Sequence, residues 1–262
     1  MRAPGAAQPF SPPPQQQAAQ LRELKRELGE ALARLPGLEG TKQRVLALAS
    51  ELERAAPFRP GAPGAPGALL GEWALVFASD GTVVTRAPPA QLLAQLASLP
   101  GVGLDQIRQE LGTPTPGADG SRAGADGGLA GAGVSCSNGM VIGLGPFGTW
   151  QVRIRGHWQT CHESEAMAWR VANGSTDSGG APRGGAAGAP GLASEVAFDG
   201  LGVRLQGVFG LDLGKLLPEL TLSVPRRPPR AQPNWRTTFC DGELRIGRGV
   251  ESGGVFLFQK QL

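Results

Sequence analysis

Residues 235–260 read WRTTFCDGELRIGRGVESGGVFLFQK, and the way this run folds decides the class of the protein. Phe239 opens an apolar arm that continues through Leu244 and Ile246 in alternation with Arg245. Val255, Phe256, Leu257 and Phe258 form a second arm, and Gly249, Gly253 and Gly254 lie between the two. Two apolar arms about a Gly-rich turn predict a β-hairpin. A hairpin this apolar needs a sheet to pair with and a core to face.

The upstream sequence offers both. Trp150, Val152, Ile154 and Trp158 share one parity, and Gln151, Arg153, Arg155, His157 and Gln159 share the other. That alternation predicts a half-buried antiparallel strand with its indoles inward. Met140-Val141-Ile142 precedes it, and Met167, Trp169 and Val171 extend the pattern. Val196 with Phe198, then Val203, Leu205 and Phe209, predict two further strands, and Leu220, Leu222 and Val224 another. Near the start of the domain Trp73, Leu75 and Phe77 alternate before an Asp80-Gly81 turn. Some seven to nine neighbouring strands close most economically as an up-and-down antiparallel barrel, which leaves no sticky edge. About eight strands suffice to enclose one small ligand.

The rest of the chain of 262 residues frames this domain. Residues 1–20 are rich in Pro, Gln and Ala and lack acidic groups, as a disordered tail or a transit-peptide remnant would. Residues 21–55 predict a helical hairpin. Leu21, Leu24, Leu28, Leu32 and Leu35 make one amphipathic stripe; Thr41 is placed to cap a second helix with Val45, Leu46, Ala49 and Leu52 on one face. That hairpin either packs on the domain or recruits a partner or a membrane surface. Residues 56–69 read as a Pro/Gly linker, so the barrel domain spans 70–262. Leu92, Leu93, Leu96, Leu104, Ile107 and Leu111 are spaced for two short helical turns. The segments 112–133 and 173–193 collapse to Gly, Ala, Ser and Asp and are expected to be disordered insertions.

Composition narrows the function. Lys plus Arg exceed Asp plus Glu by 25 against 22, too little to point to nucleic acid. No apolar run reaches the roughly 18 residues of a membrane-spanning helix, so membrane contact would be peripheral. Cys136, Cys161 and Cys240 lack metal-site spacing, and buried free thiols are expected, with a Cys136–Cys161 pair left open. Gly143, Gly145 and Gly148 spell a dinucleotide fingerprint, but a period-two strand follows where a helix would seat the phosphate. His157, Cys161 and His162 form no recognised metal motif, and no cofactor is implied. A haem- or small-molecule-binding barrel is an alternative; a haem protein or a barrel enzyme would need His157 or His162 inward, whereas His157 has the outward parity.

Two candidate sites remain. Trp73, Phe77, Trp150, Ile154, Trp158 and Phe209 could line an apolar cavity for a hydrophobic ligand, or simply fill a core. Arg226, Arg227, Arg230 and Arg236 with Trp235 form a basic loop suited to acidic lipid headgroups.

The C-terminal run also resembles the ending of the plastid lipid-associated proteins, or plastid fibrillins, through Phe239, Asp241, Leu244, Arg245, Ile246, Arg248 and Gly249; Cys240 stands where that family usually has Leu. The likeness extends to the Gly71-Glu72-Trp73-Ala74-Leu75 opening and to Gly148-Thr149-Trp150-Gln151-Val152 with Gly156-His157-Trp158. It implies a lipocalin-like barrel in the plastid, at plastoglobules, thylakoids or stroma. It also implies binding of prenylquinones, carotenoids or fatty acids without catalysis, or else a scaffold that recruits a partner enzyme through the helical hairpin. In lipocalins a late-strand Arg lies against the first-strand Trp; Trp73 and Arg245 are placed to do so by a cation–π contact. Asp241 is expected to accept hydrogen bonds from the turn backbone or to pair with an Arg.

Overall fold

Outward-facing arginines and inward-facing indoles on one long strand define the sheet from which the rest is built. The computed structural model describes residues 14–35, 39–60, 62–79, 102–104, 107–113, 133–145, 148–161, 191–223, 233–250 and 252–261. They divide into two compact units, Met1–Ala56 and Pro57–Leu262.

The first unit is a pair of helices, α1 (Pro14–Ala33) and α2 (Glu39–Ala55). Gln17 Nε2 donates to the Ala55 carbonyl at 2.9 Å, and Arg44 pairs with Glu27. The start of one helix thus meets the end of the other, and the pair is antiparallel. α1 begins at Pro14 and not at Leu21, so the stretch read as tail is helical from there: Pro is tolerated at a first helical position and Gln and Ala propagate well. α2 begins before Thr41, which therefore lies inside the helix instead of capping it. Its buried stripe is Val45, Leu48, Ala49 and Leu52, with Leu48 in the place expected for Leu46.

The second unit is a sheet with a short helix, α3 (Ala65–Leu69), in front of it. Its strands are β1 (Gly71–Ala78), β2 (Val102–Leu104), β3 (Arg108–Gly112), β4 (Gly133–Leu144), β5 (Thr149–Thr160), β6 (Leu192–Val208), β7 (Leu211–Asp212), β8 (Leu220–Ser223), β9 (Trp235–Cys240), β10 (Leu244–Gly249) and β11 (Val255–Lys260). All the pairings are antiparallel. β1, β3, β4, β5, β6, β9, β10 and β11 pair in that order, and β11 returns to β1, closing a ring of 8 strands. β2 sits beside β4, and β7 and β8 sit beside β6.

Several expectations need correction. The final run is a three-stranded meander, because Asp241 and Gly242 break the first arm in two: Gly242 has φ 91°, a left-handed conformation that glycine adopts freely. Residues 104 and 108–112 are strands, not helical turns, since Leu104 pairs with Ile142 and Leu111 with Gly71 and Cys136. Tertiary pairing overrides the local spacing there. The two strands expected around Val196 and Val203 are one strand, β6, kinked by a bulge at Asp199. Leu192 and Ala193, assigned to an insertion, open that strand and are buried. The supposed linker holds α3, and Phe58, Ala65 and Leu69 are buried in the core. Gly143 ends the pairing of β4 with β5, and Gly148 N donates to Gly145 O between the two strands. The Asp80-Gly81 turn, Met167, Trp169, Val171 and most of both insertions lie outside the described residues.

Candidate functional site

Register tells which side chains share the inside of the ring. On β4 and β5, Val134 faces Trp158, Cys136 faces Gly156, Asn138 faces Ile154, Met140 faces Val152, and Ile142 faces Trp150. On β10, Arg245 lies opposite Phe258 and Cys240, so it too points inward. Sequence parity placed the β5 residues correctly, Arg153, Arg155 and His157 outward included.

Three layers follow along β4 and β5. The first is aromatic: Trp73, Trp158, Trp235, Phe256 and Phe258 pack into one buried cluster, with Phe58 and Leu69 beneath. Trp235 centres this layer, 5.1 Å from Phe256 and 6.0 Å from Trp158 between ring centroids. Trp73 Nε1 donates to Leu69 O at 2.9 Å, which satisfies the indole inside an apolar setting.

The second layer is polar and is built on Arg245. Its guanidinium carbon lies 4.3 Å from the Phe258 ring centroid, 4.9 Å from that of Trp73 and 5.5 Å from that of Trp158. The expected Trp73–Arg245 contact is therefore present, with two more rings around it. Arg245 is 0% exposed. Its Nη2 donates to Gln109 Oε1, and Gln109 Nε2 donates onward to Asn138 Oδ1 at 2.7 Å. Among the described residues, Nε and Nη1 have no hydrogen-bond partner. Among the described residues no carboxylate pairs with Arg245; the ionisable groups that act on it are the thiols of Cys136 and Cys240. Burial drags its pKa down to about 10 and pushes Cys136 up to about 12. All three cysteines are free thiols.

The third layer is aliphatic. Met140, Ile142 and Val152 are buried, and Ile107, Leu144, Ile154 and Leu201 pack on them half-buried. Here β4, β5 and β6 run past β9, which pairs with β6 only at Leu192–Ser194. β8 takes up the free edge of β6 instead, pairing Leu220 with Val203 and Leu222 with Leu201. Leu220 and Leu222 thus share the inner face, yet they are 68% and 63% exposed. Phe209, Leu211, Leu216 and Leu217 are exposed around them. The outer face of the same strands is polar, with Arg153, Arg155 and Arg204 all on Glu219.

No protein-family model, no curated protein and no solved structure matches the chain.

Of the proposed lining, Trp73 and Trp158 meet in the aromatic layer, and Ile154 and half-buried Trp150 line the aliphatic end. Phe77 does not join them. A bulge between Leu75 and Phe77 on β1 pairs Phe77 with Leu257 on the opposite face, so strict alternation misplaced it. Phe209 sits at a turn with φ 50° and is 84% exposed, not inward. Of the basic surface, Trp235 and Arg236 are buried, and Arg226, Arg227 and Arg230 lie outside the described residues. Asp241 Oδ1 accepts from the amides of Glu243 and Leu244, as expected of a turn residue. Leu244 is buried on the outer side of β10, Arg248 lies opposite Arg236, and Gly249 lies opposite Trp235. Gly71 pairs with Leu111 at the start of β1. His157 faces out, its Nδ1 3.8 Å from Asp199. Gln109 and Asn138 carry no signal in the sequence, one lying in a spacing that suggests a helix and the other in a Gly/Ser run. Leu220 and Leu222 form the strand that their alternation predicts, but alternation carries no sign that they are exposed.

Proposed function

We propose that this chain is a non-enzymatic lipid-associated protein of the plastid fibrillin kind, a lipocalin-like barrel that holds hydrophobic molecules and rests on a lipid surface. The observation that carries this reading is the inner apolar face of β4, β5, β6 and β8. It is buried at Met140, half-buried at Ile154 and Leu201, and open at Leu220 and Leu222, with exposed Phe209 at the turn that follows β6. Exposed side chains of this size in one segment disfavour a surface made only for water, and they suit contact with hydrocarbon. Lys215 lies within the segment, a favourable partner for acidic headgroups. Among the described residues no helix is long and apolar enough to cross a membrane. The resemblance to the plastid fibrillins implies prenylquinones, carotenoids or fatty acids as the ligands, held at plastoglobules or thylakoids.

Flotation of the full chain with phosphatidylcholine vesicles containing phosphatidylglycerol tests the reading. The wild type is expected to float. A triple variant, Leu216→Glu, Leu220→Glu and Leu222→Glu, is expected to stay behind with an unchanged melting temperature, because all three residues are exposed. Equal flotation of both proteins would refute this surface. A wild type that does not float, and is a dimer where the variant is a monomer, would make it a subunit contact instead. Solvent extraction and mass spectrometry of the purified protein should also yield a bound hydrophobic molecule.

A further inference from the structure

We propose that Arg245 is the seat of a bound anion, the carboxylate head of an amphiphile whose apolar tail lies along the aliphatic layer. The proposal rests on the reading of the chain as a binder of hydrophobic molecules and adds the chemical class of the ligand.

The argument begins with an uncompensated charge. A buried guanidinium is costly unless it is paired and hydrogen-bonded. Arg245 has its face against three aromatic rings, which attract a cation but accept no conventional hydrogen bond. One nitrogen is satisfied by Gln109, while Nε and Nη1 are buried and, among the described residues, unpartnered. A second cation, Lys260 Nζ, lies 5.4 Å from the same Trp73 ring. The local field is therefore positive, and no acidic side chain among the described residues answers it.

Position decides the kind of anion. Gln109 bridges Arg245 to Asn138, and Asn138 faces Ile154, the first residue of the aliphatic layer on β5. Beyond it come Met140 with Val152, then Ile142 with Trp150. A group at Arg245 has aromatic packing on one side and an aliphatic strip leading outward on the other. A small hydrated anion would make no use of that strip, whereas a carboxylate on an alkyl or prenyl tail uses both. The carboxylate suits the planar guanidinium, and charge-assisted hydrogen bonds of this type are roughly twice as strong as neutral ones.

Intrinsic fluorescence of the full chain reports binding, because Trp73 and Trp158 flank the guanidinium. Titration with laurate and with lauryl alcohol separates head from tail. The wild type should bind laurate about ten- to a hundredfold more tightly, the ratio that a hydrogen bond to a charged group supplies. Arg245→Gln should bring the two affinities together by weakening laurate alone. Gln109→Glu gives a second reading that leaves the arginine in place. Its carboxylate would answer the charge from within, so the melting temperature should rise and the preference for laurate should vanish. Equal affinities in the wild type would overturn the anion seat while leaving hydrophobic binding intact. Binding of neither compound would overturn both readings. A laurate preference retained in folded Gln109→Glu or Arg245→Gln protein would place the head elsewhere.

Discussion

At the scale of single residues the inside of the ring is governed by volume and by charge. Trp235 lies so flat on Gly247 that a Cβ there would come within 1.9 Å of the indole. The indole has little room to yield, since Trp158, Phe256 and Phe258 surround it. Gly247→Ala should therefore destabilise the fold by about 1–3 kcal/mol, the usual cost of overpacking, measurable as a lower denaturation midpoint. A glycine in mid-strand is here the complement of a tryptophan, and a conventional β-former would be worse. Cys136 makes the second case. Burial raises its pKa to about 12 from the ordinary 9.0. The neutral thiol is thus the form the fold favours. Its contribution is complete below about pH 9, where the unfolded thiol also keeps its proton, and it is lost as pH rises from there through the folded value. Native alkylation at pH 8 should label Cys161 and spare Cys136, with all three thiols labelled after unfolding. Early labelling of Cys136 in a folded sample would mean that the polar layer is open to solvent.

At the scale of elements, the segment 57–69 changes role between sequence and fold. Its prolines and glycines made it read as a tether, but Phe58 N donates to Thr238 O at 2.8 Å and the Phe58 side chain is buried. α3 then presents Leu69 to the core and its carbonyl to Trp73. Phe58→Ala should cost about 3–5 kcal/mol, as for other buried aromatics, whereas a true linker would tolerate it with no shift in melting temperature. The same contrast explains what sequence could tell. Period-two alternation made β5 legible to the residue, because a strand with one wet and one dry face writes its orientation into composition. The Trp73–Arg245 pair was legible too, through a resemblance and not through spacing. What failed was whatever depends on partners distant in the chain. The bulge that turns Phe77 away is set by β11, and the strand state of 108–112 is set by β1 and β4. Leu220 and Leu222 have the right parity for a core, yet on β8, paired to β6, they stay exposed. The Asp241-Gly242 turn does have a sequence signal, since Asp-Gly between apolar runs is itself a hairpin signal.

At the scale of the molecule, a ring of strands opens where its ladder is shortest. β4 and β5 pair along Gly133–Gly143, whereas β6 and β9 pair only from Leu192 to Ser194. The seam is lengthened by a side chain: Asn234 Oδ1 accepts from Val196 N, and Asn234 Nδ2 donates to Val196 O, both at 2.9 Å. The amide of one residue thus imitates the next rung of the ladder. Local opening follows the fewest buried hydrogen bonds, so the amides of Leu192–Val196 and of Trp235–Thr237 should exchange with deuterium before those of β4 and β5. Asn234→Leu removes two hydrogen bonds at a position water reaches. It should cost about 1–2 kcal/mol of stability and speed exchange at the seam well beyond the effect elsewhere. Uniform acceleration around the ring would mean that it opens as one cooperative body and has no seam. The location matters for function because Trp235 and Ser194 face each other across it. If the aromatic layer admits an amphiphile from this side, Asn234→Leu should raise the association rate for laurate while leaving its preference over lauryl alcohol unchanged. Stopped-flow quenching of the indoles measures that rate. An unchanged rate would place the entrance at the other end, under the exposed leucines of β8, where the apolar face already meets the surface.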